Sequence, residues 1–127
     1  MKPMPPKILI VEDNIANQIL MIEHLKYFQA KVEIANNGLE ALEMVKNQSF
    51  DIVLMDLNMP VLSGFEATKK IREIYCKEYL PIIAVTGNSS NNEEKICLEI
   101  GMNAFVKKPY SAKKIVCEIE KLLNIFV

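Results

Sequence analysis

The residues of this chain with chemistry to offer are an adjacent acid pair, Glu12-Asp13, a lone Asp56, Thr86 and Lys108. Each closes, or nearly closes, a short apolar run: Ile8–Val11, Ile52–Met55, Ile82–Val85 and Ala104–Val106. Three carboxylates brought together raise one another's pKa unless a cation offsets them. A ligand set of oxygens alone, with no His or Cys, suits a hard ion. Mg²⁺ fits two carboxylates completed by a backbone carbonyl and waters. Lys108 and Thr86 add an ammonium and a hydroxyl, which a Mg²⁺ site does not itself need. Together these groups make a pocket for a dianionic tetrahedral group such as phosphoryl. An aspartate oxygen is a nucleophile suited to phosphoryl, giving an aspartyl-phosphate. Plainer roles are open to the same residues: Asp56 can simply start a turn, and Asp13 or Asn14 can cap the helix that follows.

The elements that carry these residues follow from the apolar pattern. Runs this short and unbroken are typical of strands buried on both faces, and Val32–Ala35, interrupted by Glu33, reads as a fifth, short strand. The stretch Ile15–Gln29 is helical in pattern, with Leu20, His24 and Phe28 on one stripe flanked by Ala16, Met21 and Leu25. Asn36-Asn37-Gly38 turns the chain into a helix burying Ala41, Leu42 and Val45. Ser63-x-x-Glu66 and Ser90-x-x-Glu93 are capping boxes. The first opens a helix burying Ala67, Thr68, Ile71 and either Ile74 or Tyr75; Gly101 closes the helix opened by the second. Ser111 caps a last helix with an apolar stripe of Ile115, Val116, Ile119, Leu122, Leu123 and Phe126. This alternation predicts an α/β fold, (βα)5, a doubly wound five-stranded parallel sheet in the flavodoxin-like order 2-1-3-4-5. Its crevice opens between the first and third strands, beside Glu12-Asp13 and Asp56, with Thr86 and Lys108 on the same edge.

At 127 residues the chain is expected to form one domain over residues 7–127. Residues 1–6 read as a loose arm, too short and proline-rich for a signal peptide. No apolar segment approaches the roughly 20 residues of a membrane span. A formal net charge of -1 gives no reason to expect nucleic acid or an anionic membrane as partner. Cys76, Cys97 and Cys117 are odd in number with no CxxC pair, which suits reduced thiols in a cytoplasmic protein. His24, the only histidine, sits mid-stripe and reads as a packing residue, so no Ser-His-Asp or Cys-His arrangement is available. Neither a GxxxxGK nor a GxGxxG motif is present, which removes support for nucleotide binding.

Four segments, in order and at characteristic spacings, resemble the receiver domain of two-component response regulators, the CheY-like superfamily. They are ILIVEDN (8–14), VLMDLNMP (53–60) with Gly64 and Glu66, PIIAVTGN (81–88) and FVKKP (105–109). The resemblance covers the chain from about Lys7 to its end. It implies that Asp56 is the phosphoacceptor, taking phosphoryl from a kinase histidine. Glu12, Asp13, Asp56 and the Asn58 backbone carbonyl would serve Mg²⁺, and Thr86 and Lys108 the phosphoryl oxygens. Phe105 would be the aromatic switch residue working with Thr86, and the Lys108-Pro109 bond would be cis. Three departures stand out. Glu12 occupies a position where Asp is also frequent, so its contact to the metal can run through water. Gly87 follows Thr86 where Ala is common, and Phe105 lacks the hydroxyl of Tyr.

The runs EDN-IANQ and GFEAT-KKIR resemble receivers attached to hybrid sensor kinases more than those of DNA-binding regulators. The implied partners are a sensor histidine kinase or a histidine phosphotransfer domain, with the domain itself a monomer or a weak phosphorylation-dependent dimer. Its own chemistry would be at most slow self-dephosphorylation. Two other readings use the same residues. A phosphatase of the haloacid-dehalogenase type wants an acid two residues after the nucleophile, where this chain has Asn58, which cannot donate an acid proton. A pseudo-receiver would keep the fold as a binding surface, and the intact Asp56, Thr86 and Lys108 argue against it.

Overall fold

The computed structural model describes residues 5–87 and 91–123. The apolar runs become five strands: β1 (Lys7–Val11), β2 (Lys31–Ala35), β3 (Ile52–Asp56), β4 (Ile82–Thr86) and β5 (Ala104–Lys107). Between and after them lie α1 (Ile15–Leu25), α2 (Gly38–Asn47), α3 (Gly64–Arg72), α4 (Asn91–Glu99) and α5 (Ala112–Leu123). All neighbouring strands are parallel, in the order β2-β1-β3-β4-β5. Every residue of β3 and β4 is buried, because these strands have a neighbour on each side and helices over both faces.

Alternation along the strands divides the core into two layers. Leu9, Val11, Val53, Met55, Ile82 and Ala84 pack beneath α2, α3 and α4. Ile8, Ile10, Ile52, Leu54, Ile83, Val85 and Val106 pack beneath α1 and α5, against Met21, Leu25, Phe28, Ile115 and Ile119. Burying one such aliphatic side chain contributes about 1.5–3 kcal/mol, so the two layers hold the sheet edge rigid under the site.

Helix starts are set by local chemistry. Asn14, rather than Asp13, caps α1, its side chain accepting from the Asn17 N–H. Asn37 caps α2, Ser63 caps α3 and Ser111 accepts from the Lys114 N–H at the start of α5. Each such cap is worth about 1 kcal/mol. Only half of the expected box at Ser63 forms: Glu66 pairs instead with Lys69. Gly101 ends α4 with φ +109°, the Met102 N–H reaching the Cys97 carbonyl and the Gly101 N–H that of Leu98. This is the Schellman arrangement, which a left-handed glycine makes cheap.

Several expectations need correction. The first helix stops at Leu25 and a 3₁₀ turn, Lys26–Phe28, follows, because Gln29 adopts a left-handed φ of 53°. Its inward stripe is Met21, Leu25 and Phe28; Leu20 is 48% exposed and Ala16 is exposed too. Of the two residues left open past the end of α3, Tyr75 packs on the core while Ile74 faces solvent. Pro6, assigned above to the arm, is buried, and its carbonyl accepts the Lys31 N–H at the end of the β1–β2 ladder. Met1–Met4, Asn88, Ser90 and Phe126 lie outside the described residues.

Candidate functional site

The strand registers bring the chemistry to one edge of the sheet. Met55 pairs with Val11, so Asp56 and Glu12 each stand one residue beyond that pair on adjacent strands. Asp56 pairs with Val85, placing Thr86 one step further along β4, and the Lys108 N–H donates to the Thr86 carbonyl at 2.7 Å. Residues that are far apart in sequence therefore share one rim. Glu12 and Asp56 are buried, at 6% and 7% exposure, and Asp13 is exposed. One carboxylate oxygen from each of the three lies within 4.8 Å of the others.

Lys108 sits over this cluster. Its Nζ lies 2.9 Å from Glu12 Oε1 and 3.8 Å from Asp56 Oδ2. The remaining Glu12 oxygen accepts the Asn14 N–H at 3.1 Å, and Asp56 Oδ1 accepts the Asn58 N–H at 3.2 Å. The Asn58 amide donates to Thr86 Oγ1 at 3.5 Å, and Thr86 is fully buried. The two buried acids respond differently. Burial and then the Glu12 charge push Asp56 up to about 6, with Lys108 and the Asn58 N–H only partly opposing. Burial also pushes Glu12 up, but the Lys108 hydrogen bond and charge and the Asn14 N–H outweigh it and hold Glu12 low. The difference follows from Lys108 being nearer to Glu12.

Two glycines set the loop that leaves Asp56. A β-carbon on Gly64 would overlap the Asp56 carbonyl oxygen, and one on Gly38 would overlap the Leu62 carbonyl oxygen. The Gly64 N–H donates to the Leu57 carbonyl and the Gly38 N–H to that of Leu62. Between these anchors Val61 is held at φ 71°, with the Leu62 N–H bonded to the Pro60 carbonyl at 2.8 Å, a tight turn that strains a β-branched residue.

Phe105 is half-buried and packs against the α2–α3–α4 layer, on the opposite face of β5 from Val106. The Lys108–Pro109 bond is cis. His24 takes a packing role, edge-on to Tyr110 with ring centroids 5.6 Å apart. Several residues near the rim were not singled out from sequence. Tyr110 follows Pro109 beneath the site, and burial, aided by the Glu12 and Asp56 charges, raises its phenol to about 12. Gln18 bonds the Glu12 carbonyl. Ile15, Ile19 and Leu20 form an exposed apolar strip on α1 beside an opening lined by Asn17, Leu20, Lys108, Pro109 and Tyr110. The i, i+4, i+5 spacing of that strip was legible, but nothing local said that it faces away from the core.

The chemistry of this donor set fits Mg²⁺: all three clustered side chains offer oxygen, and among the described residues no His or Cys joins them. The family model of the response regulator receiver domain matches residues 8–120. Hybrid signal transduction histidine kinase B of Dictyostelium discoideum is 38% identical over 93% of this chain, which spans only 7% of that protein's length. The receiver domain of sensor histidine kinase PA1611 from Pseudomonas aeruginosa PAO1, with a magnesium ion coordinated in its active site cleft, matches with a TM-score of 0.86. That match is 32% identical and covers 94% of this chain and 98% of the other. A Saccharomyces cerevisiae co-crystal structure, of a histidine phosphotransfer signalling protein with the receiver domain of its downstream response regulator, matches with a TM-score of 0.84. Identity there is 30%, over 95% of this chain and 91% of that one. With fold, site and family model in agreement, the chain belongs to the response regulator receiver domain family.

Proposed function

We propose that the chain is the phosphoacceptor of a two-component or phosphorelay pathway, with Asp56 receiving phosphoryl from a phosphohistidine. An Asp56 oxygen forms the new bond to phosphorus as the phosphorus–nitrogen bond to the donor imidazole breaks, and that electron pair returns to the ring. Lys108 and Thr86 then hold oxygens of the transferred group, and Lys108 offsets its charge. Glu12, Asp13, Asp56 and the Asn58 carbonyl are the residues proposed to hold Mg²⁺, which supplies further charge neutralisation at those oxygens. The single observation that carries this reading is a buried Asp56 with an ammonium 3.8 Å away and two further carboxylates at hand.

The hybrid kinase that is similar to this chain over 7% of its own length, and the neighbour crystallised with a phosphotransfer protein, support a histidine donor on a kinase or a phosphotransfer domain. The exposed Ile15-Ile19-Leu20 strip beside the rim is the face proposed to meet that donor. Three free cysteines support a reducing cytoplasmic setting. The output is proposed to be conformational: Thr86 is drawn toward the phosphoryl group, and Phe105 repacks between β4 and α4, altering the α4–β5–α5 face.

Intact-mass measurement tests the chemistry, on wild type and Asp56→Asn treated with a small phosphodonor and Mg²⁺. One added phosphoryl on wild type, absent from the variant, is expected. An unmodified wild type would leave a binding module only, and sustained phosphate release over many turnovers would favour a phosphatase.

A further inference from the structure

The motif EDN-IANQ contains one residue that the phosphoacceptor chemistry leaves without a role. Gln18 lies on the first turn of α1, where the backbone already bonds its own N–H to the Asn14 carbonyl at 3.0 Å. Its side-chain nitrogen donates to the Glu12 carbonyl at 2.7 Å and to Asn36 Oδ1 at 3.0 Å. One amide group thus uses both of its N–H donors, and joins two separate loops.

The Glu12 residue is gripped on both sides. Its N–H donates to the Ala35 carbonyl at 3.0 Å, and its carbonyl accepts from Gln18. That carbonyl belongs to the peptide unit whose nitrogen is Asp13, so its orientation sets the direction in which Asp13 leaves β1. Asn36 is itself held, its N–H and its side-chain amide both reaching Glu40 Oε1. Two residues on, Gly38 donates to the Leu62 carbonyl in the loop that follows Asp56. Hydrogen bonds, joined through the short backbone stretch from Asn36 to Gly38, therefore connect the acid pair, the β2–α2 loop and the β3–α3 loop.

We propose that Gln18 is a positioning residue for the metal-binding acids: it fixes the Glu12–Asp13 peptide so that Asp13 is presented beside Glu12 and Asp56. This inference rests on the receiver reading above. The helix needs no side-chain donor here, and Met fills the same volume with similar helix propensity, so the loss of the two hydrogen bonds is separable from loss of the helix. Partners that orient metal ligands typically change affinity by about 10–100-fold when removed.

The test titrates Mg²⁺ alone into wild type, Gln18→Met, Gln18→Ala and Asp13→Ala, following the Asp13 and Asn14 amide resonances, with thermal unfolding measured beside it. Gln18→Met is expected to melt within a few degrees of wild type and to bind Mg²⁺ about tenfold more weakly. In the Asp13→Ala background the same change should add no further loss, because Gln18 acts through Asp13. Unchanged affinity in Gln18→Met, or a full additional loss in that background, overturns the proposal. Should the Met variant fail to fold, Gln18→Ala is read in its place; unfolding of both would make Gln18 a structural residue and also overturn it. A wild type that neither binds Mg²⁺ nor takes phosphoryl sinks the receiver reading and this inference with it. A normal wild type matched by both Gln18 variants sinks only the inference.

Discussion

At the scale of the residue, Asp56 sits in tension between its burial and its charge. Its folded pKa stands at about 6, above the ordinary 3.8, so the folded chain binds this proton more tightly than the unfolded one. The sign follows: stability is fully present below about 3.8 and is lost as pH rises through about 6. Glu12 runs the other way, contributing stability at neutral pH that is lost on acidification. In protein freed of divalent metal, Asp56→Asn should therefore be more stable than wild type at pH 7.5, by at most about 3 kcal/mol. The gap should close toward pH 4. Urea unfolding at both pH values checks this, and equal stability at pH 7.5 would mean that Asp56 bears no cost of burial.

At the scale of the element, the glycines of the site differ in what they permit. Gly64 opens α3 directly against the Asp56 carbonyl, so Gly64→Ala must push α3 or the end of β3 aside. The expected cost is about 2 kcal/mol or more, with slowed acceptance of phosphoryl from a small donor, since Asp56 moves with its backbone. Gly87, directly after β4, has nothing within 4 Å of where a β-carbon would stand. Gly87→Ala should be neutral or gain up to about 1 kcal/mol by restricting the unfolded chain. Denaturant midpoints for the pair decide; a destabilised Gly87→Ala would show that the β4–α4 loop requires glycine.

For the whole molecule, the edge of the sheet opposite the site is tied by Arg72. Its guanidinium donates to the carbonyls of Gly101 at 2.7 Å and Leu80 at 2.9 Å, to those of Tyr75 and Cys76, and to Asn103 Oδ1 at 3.0 Å. Asn103 in turn accepts the Ile82 N–H, so α3, the approach to β4 and the approach to β5 meet on one cation. Arg72→Met should cost about 2–4 kcal/mol by removing the guanidinium donor from the Gly101 and Leu80 carbonyls, yet leave Mg²⁺ affinity near wild type. A large fall in Mg²⁺ affinity would instead show that the two edges are coupled. The α1 strip is a whole-molecule feature too, because α1 lies against α5 and turns Ile19, 57% exposed, outward beside the rim. Ile19→Glu should slow phosphoryl transfer from a phosphorylated histidine phosphotransfer protein about tenfold, with transfer from a small phosphodonor unchanged. Equal slowing of both would place the effect on the site rather than on docking.

What the sequence determined by itself was the fold and which polar residues share one rim of the sheet. Unbroken runs such as Ile52–Met55 are typical of strands covered on both faces, and four of them, with the interrupted Val32–Ala35 strand, alternating with helices leave few topologies open. Because parallel strands all end on one edge, Glu12, Asp56, Thr86 and Lys108 had to meet once the order was set. Local competition was harder to read. Whether Asn14 or Asp13 caps α1 depends on which side chain the turn directs at the Asn17 N–H, and the end of α1 depends on one left-handed residue, Gln29. Tertiary structure alone decided which way α1 faces: Leu20 and Met21 are equally apolar, and only the packing of α1 against α5 and the sheet buries Met21 and leaves Leu20 in solvent. It also decided that Lys108 lies closer to Glu12 than to Asp56 and that Gln18 reaches the Glu12 carbonyl. Side-chain reach across separate loops is a matter of distances in space, which spacing along a chain does not contain.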